Sequence, residues 1–403
     1  MNKRLLYVCC FIVSCIIVLS QCVSKQRSTG LRGEQFAGAA TCAGCHKNIY
    51  DSYLATAHYN TSHPASQSTV KGNFNDTFIY SNAMKVVMEA RDSGLFQAGY
   101  VNDTLQELHR FDIAIGSGRK AQTFLYWEAG KYFQLPVSYF VSAHAWANSP
   151  GFPAAHPKFD RMIPSTCFGC HSSMVGVKST EMTGLHITEQ FEKNQLVYGI
   201  DCERCHGPGA EHVAFHTAHP QEQQAKYMTK TGSLKNQQKL DMCAVCHSGL
   251  KTPQRSVFDF RPGDKLSDYI YADITRPAKP SEMDVHGTQY QLFTASKCYI
   301  KSENMNCSSC HNPHSGDKQE VFSQRCMSCH TTASHNFCKL TTLPEAVLAK
   351  NCIDCHMPAL PSGSITLLTN GHLSPTPDSI RTHLITVYGD ETKKVIARLT
   401  KKL

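Results

Sequence analysis

One short pattern, Cys-x-x-Cys-His, recurs seven times along the 403 residues. The copies are Cys42-Cys45-His46, Cys167-Cys170-His171, Cys202-Cys205-His206 and Cys243-Cys246-His247, then Cys307-Cys310-His311, Cys326-Cys329-His330 and Cys352-Cys355-His356. Chance at this composition would supply roughly 0.05 matches. Zinc sites use Cys pairs, but not seven with a His after each. A thioredoxin-like CxxC needs one copy in a βαβ setting, and a disulfide framework does not place His after every second Cys. Covalent c-type haem needs this spacing. Two thiols add across the two vinyl groups of one haem, and the adjacent His reaches its iron as the proximal ligand. The seven motifs therefore predict seven covalently bound haems. At one haem per about 55 residues, haem itself forms much of the core.

Six cysteines lie outside the motifs. Cys9, Cys10 and Cys15 fall in residues 1–21, which read as a signal peptide: Lys3 and Arg4, then the apolar run LLYVCCFIVSCIIVL. Leu19-Ser20-Gln21-Cys22 is similar to a bacterial lipobox, so Cys22 is the lipidation candidate and residues 22–38 a flexible, lipid-anchored tether. The chain has no run of 18 apolar residues, so no ordinary membrane span is expected. Export to an oxidising compartment makes Cys298 and Cys338 a candidate disulfide, with two free thiols as the alternative.

Fourteen histidines remain for the sixth, distal coordination positions. His58 follows a helix-like run twelve residues after His46. His212 and His216 are spaced i, i+4, on one helix face. His314 stands three residues beyond a proximal His, and His335 lies between the sixth and seventh motifs. His286 and His383 flank the last three motifs, and His109 sits in an apparent strand. These eight are the distal candidates, and bis-His coordination is the default. His63, His144, His156, His186, His219 and His372 read as ordinary surface or neighbouring residues.

The motif intervals are unequal. About 120 residues separate the first two, and the last three lie within about 50. Residues 39–165 are expected to hold the first motif and a small antiparallel β meander, with strands at 85–90, 95–101, 107–115, 122–127 and 132–137. Residues 166–403 read as a haem-dense helical section, clearest in GSLKNQQKLDMCAVCH. Residues 255–280 read as an extended arm between haem groups. The fold expected is mainly α with irregular loops, packed on haem, with the meander inserted between motifs one and two.

The formal net charge of +8 does not mark a nucleic-acid partner, because Lys and Arg are scattered without a basic block. Loss of Lys3 and Arg4 leaves about +6. Seven haems would add roughly −14 from propionates and about +7 from ferric iron, bringing the ferric holoprotein near neutral.

The segments GIDCERCHGPGAEHV, MNCSSCHNPH and NCIDCHMP resemble multihaem cytochromes of the cytochrome c-554 type. The whole set, with Ile115-Gly116-Ser117-Gly118 and Ser296-Lys297-Cys298, is similar to a heptahaem lipoprotein branch of that group. The resemblance implies closely packed haems and electron transfer between a membrane donor, such as a quinol dehydrogenase, and a terminal reductase. The alternative it implies is a reductase of a small nitrogen or sulfur oxyanion at one haem with an open distal site. His144, His156, Arg119 and Lys120 are the candidate lining of such a site. The chain departs from pentahaem nitrite reductases in having no CxxCK motif. It also lacks an identifiable crosslinking Tyr of octahaem hydroxylamine oxidoreductases, so neither catalytic set carries over.

Overall fold

The computed structural model describes residues 31–184, 186–249, 252–271, 276–372 and 374–401. The signal segment and Cys22 lie outside the described residues. About 29% of the described residues are helical and 27% are strand.

The meander runs form strands, but they divide between two sheets. Thr77–Ile79, Met84–Arg91, Gly94–Val101 and Thr104–Arg110 make a four-stranded antiparallel sheet. Alternation drives it: Val86 and Met88 point inward and are fully buried, while their neighbours are more exposed. The run at 107–115 breaks after Arg110. Asp112 leaves the ladder to accept from the Trp127 amide through Oδ2 at 2.7 Å. Ile113–Ile115 then joins a second, nine-stranded sheet. Its path is Ser62–Pro64, Ile113–Ile115, Ala121–Glu128, Val137–Phe140, Ala145–Asn148, Ala359–Thr369 and Thr376–Arg381. Phe78, Met88, Phe111, Phe124, Leu135 and Trp146 form one core cluster drawn from both sheets. Each such side chain contributes about 1.5–3 kcal/mol on burial.

The expectation of a mainly α fold is corrected by two long hairpins in the haem-dense section. Ser172–Thr183 pairs with His186–Tyr198 directly after the second motif. Ala359–Thr369 pairs with Thr376–Arg381 after the seventh. The physical reason is local. Covalent haem attachment needs only one helical turn at each motif, so the chain between motifs is free to extend. The second hairpin also crosses the expected boundary at 165/166, since Ala147 and Asn148 pair with Thr369 and Leu368. Helix Asn236–His247 ends in its motif as the sequence suggests. Residues 255–271 contain short 3-10 turns at Val257–Asp259 and Leu266–Asp268.

Candidate haem sites and their histidine partners

Each motif sits on or beside a helical turn. The second lies in helix Ser165–His171, the third in Cys202–His206, the fourth in Asn236–His247 and the seventh in Cys352–His356. The fifth begins with the 3-10 turn Cys307–Ser309, and the sixth follows helix Gln319–Cys326. The first spans the end of Ala39–Cys42 and the start of Lys47–Leu54. Helical residues at i, i+3 and i+4 share a face. Both thiols and the imidazole of a helical motif are thereby turned to one side, a donor set that fits a c-type haem.

Four motif histidines meet a second histidine at closely similar separations. Ring centroids are 6.4 Å apart for His46 and His212, 5.9 Å for His206 and His314, and 6.1 Å for His311 and His383. Those three pairs are near parallel, at 16–23°. His58 and His247 are 6.2 Å apart but crossed at 73°. His286 lies near enough to His171 to act on it electrostatically. Burial lowers the pKa of His58, His171, His206 and His311, and lowers His247 and His383 to about 4. These rings are neutral at pH 7, the form that binds metal.

Several Nδ1 atoms are held by oxygen: His212 by the Lys226 carbonyl at 2.8 Å, His330 by Asn336 at 3.1 Å and His356 by Thr386 at 2.9 Å. His171 Nδ1 meets the Thr61 hydroxyl at 3.0 Å. Fixing Nδ1 leaves Nε2 free to face a metal and sets the ring's orientation.

The motifs also touch one another. Cys42 lies beside Cys202, Cys170 beside Cys246, Cys243 beside Cys307 and Cys326 beside Cys352. In the last pair the contact pulls Cys352 down to about 7. Burial pushes Cys205 up to about 11, with Cys246 among its neighbours.

Other candidates are placed elsewhere. His109 is in the four-stranded sheet, stacked on Tyr126 and Phe159, with Nε2 2.7 Å from Glu107. His216 lies 4.6 Å from His212 and accepts from the Lys226 amide. His335 is exposed, at φ 54°. His144, His156, Arg119 and Lys120 are all exposed. Arg119 donates to the Ala55 carbonyl and Lys120 to that of Ser379. Cys298 neighbours Cys310 and Cys326, whereas Cys338 neighbours Cys355.

Two groups carry weight that sequence reading did not assign. Residues 32–38, expected as tether, are docked on the third motif. Glu203 is fully buried and accepts from Ala37 N at 2.8 Å, Gly38 N at 3.0 Å, Gly209 N at 2.8 Å and Arg32 at 2.9 Å. Arg32 also pairs with Asp201. The acidic residues Asp201 and Glu203, beside and inside a CxxCH motif, were the available signal. The other is Asp284, whose carboxylate gathers residues 286 and 362–364. Burial opposes its ionisation, but those hydrogen bonds hold its pKa below the ordinary value. Among the described residues, no helix is long and apolar enough to cross a membrane.

The cytochrome c554 and c-prime family matches residues 147–207, which include the second and third motifs. The C-type polyheme cytochrome OmcC of Geobacter sulfurreducens is 25% identical over 217 residues, covering 47% of this chain and 26% of its own length. The chain thus spans about a quarter of that relative. In fold, it is similar to the crystal structure of the outer cell wall cytochrome OcwA, with TM-score 0.56 and 17% identity over 90% of this chain and 82% of the other. Together with the CxxCH motifs, these matches support a multihaem c-type cytochrome with covalently bound haem.

Proposed function

We propose that the chain is an exported heptahaem electron carrier, anchored through Cys22, that passes electrons between a membrane donor and a terminal acceptor. The observation that carries this reading is the set of four histidine pairs. A metal–imidazole bond is about 2 Å, and each ring centre lies about 1.1 Å beyond its nitrogen, so two imidazoles on one iron would stand about 6.2 Å apart. The measured separations of 5.9–6.4 Å fit that arithmetic. The distal ligands are then His212 for the first haem, His314 for the third, His58 for the fourth and His383 for the fifth. His286, an electrostatic neighbour of His171, is the candidate for the second. The haems supply one-electron redox chemistry; the chain's own work is to hold the rings neutral, oriented and close.

The thiol contacts support an order for the carrier that differs from sequence order. Motif one adjoins three, three adjoins four, four adjoins both two and five, and six adjoins seven. Lys120 and Arg119 are engaged with backbone carbonyls, and no observation gathers an oxyanion pocket around them.

Low-temperature EPR of the ferric holoprotein, with haem quantitation, tests the reading. Seven haems are expected. The near-parallel pairs give ordinary rhombic low-spin signals, and the crossed His58–His247 pair gives a separate signal of larger maximum g value. A high-spin signal from the first, third, fourth or fifth haem would sink the assignment.

A further inference from the structure

We infer that Asp284 is a positioning residue for His286, holding it in place as the distal ligand of the second haem. The inference rests on the proposed pairing of His286 with His171. His286 is exposed and lies on an irregular stretch, two residues after Asp284 and just before Gly287 at φ +81°. No helix or strand fixes its backbone. The Asp284 carboxylate takes that role. Its Oδ1 accepts from the His286 amide at 2.6 Å and from Ser362 Oγ at 3.0 Å. Its Oδ2 accepts from Gly363 N at 2.6 Å, Ser364 N at 2.8 Å and Ser364 Oγ at 3.1 Å. The Asp284 carbonyl also accepts from the Thr288 hydroxyl, closing a turn around His286.

The second anchor is a strand with its own support. Ser362, Gly363 and Ser364 belong to Ala359–Thr369 and fall in the interruption between its Pro361 and Thr366 pairings with Thr376–Arg381, while Leu368 and Thr369 pair with Asn148 and Ala147. Beside the turn, Val285 is buried with Leu292 and Leu384. One carboxylate therefore ties the His286 backbone to the large sheet. The fit is close: a Cβ at Gly363 would stand 3.1 Å from Oδ2. Partners that orient a metal ligand without touching the metal typically change affinity by about 10–100-fold when lost. A ligand on an unsupported loop would be far more sensitive to such a loss than one on a helix.

The test compares ferric holoproteins of Asp284→Ala, Asp284→Asn and His286→Ala by optical and EPR spectroscopy, before and after adding imidazole. His286→Ala is expected to show one high-spin haem of seven, made low-spin again by imidazole. Asp284→Ala is expected to show the same species at partial occupancy, equally restored by imidazole, and a shifted midpoint potential for one haem. Asp284→Asn keeps the shape but turns a donor toward either His286 N or the Gly363–Ser364 amides, and is expected to fall between wild type and Asp284→Ala. It also carries the test if Asp284→Ala does not mature. A mature Asp284 variant that stays fully low-spin, beside a His286→Ala protein that does not, overturns the positioning role and leaves the ligand assignment standing. A fully low-spin His286→Ala protein overturns the assignment and the positioning role together.

Discussion

Replacing Arg32 by alanine removes the guanidinium that meets both Asp201 and Glu203. The three side chains are 9%, 6% and 0% exposed, so the two carboxylates left behind have little water to turn to. Breaking a buried ion pair by deleting one partner costs about 3–5 kcal/mol. Glu203 keeps three backbone N–H donors, and Asp201 keeps the Arg204 amide at 3.0 Å. The low end, about 3 kcal/mol at pH 7, is therefore expected. The loss also has a pH signature. Burial already raises the Asp201 pKa above its ordinary value, and Arg32 pulls against that rise. Without Arg32 the folded-state pKa climbs further, so the folded variant takes up a proton before the unfolded chain does. Its deficit against wild type is then complete at neutral pH. It shrinks as pH falls through the raised folded pKa toward the unfolded value near 3.8, by about 1.4 kcal/mol for each unit of added shift. Guanidinium unfolding of the holoproteins at pH 7 and pH 5, followed by far-UV circular dichroism, reads both effects. A loss under about 1 kcal/mol at pH 7, or a deficit that stays constant on acidification, would refute the reasoning.

Further expectations concern single sites. His58→Ala should convert one haem to an imidazole-binding high-spin form and abolish the large-g signal; retention of that signal would exclude His58 as its source. Gly199→Ala should destabilise by at least about 1–3 kcal/mol, measured by denaturation midpoint, because Gly199 has φ +66° and an added Cβ would come 2.3 Å from the Tyr59 carbonyl oxygen. Arg381 donates to the Ile353 and Met357 carbonyls at 3.0 Å each and pairs with Asp354 inside the seventh motif. Arg381→Ala should cost about 1–2 kcal/mol and loosen that motif, seen as faster amide exchange at residues 353–357. Thiol titration of the unfolded mature protein, without reductant, should find Cys298 and Cys338 both reactive, because each neighbours a different motif cysteine; neither reacting would establish the disulfide.

The seven CxxCH motifs were legible because covalent haem attachment demands a fixed spacing. Strands at 85–90, 95–101 and 122–127 were legible from alternation, and their observed spans are Met84–Arg91, Gly94–Val101 and Ala121–Glu128. Their division between two sheets was not, because the break at Phe111–Asp112 depends on a long-range bond to Trp127. The hairpin Ser172–Thr183 with His186–Tyr198 was hidden for another reason. Its ladder is interrupted by three register shifts, which blur the period of two that marks a strand. Among histidines, sequence spacing picked out His58, His212, His314 and His383, which the fold sets opposite motif histidines. It could not reject His109, because a His in an alternating strand reads the same whether it stacks on Tyr126 or faces a metal. Arg32 was missed because a short polar segment with glycines reads as tether until its buried acceptor, Glu203, is known.

The pairing of Ala147 and Asn148 with Thr369 and Leu368 joins strands that leave the ribosome about two hundred residues apart. During synthesis the strand Ala145–Asn148 must wait with one edge unclaimed until the last motif and its following hairpin have emerged. Such contacts between distant segments form late, since the intervening chain must first be ordered. In this fold the waiting interval spans six of the seven CxxCH motifs. Closure of the large sheet thus falls after the final motif is exposed, and an exposed strand edge marks every immature intermediate as a target for chaperones or proteases.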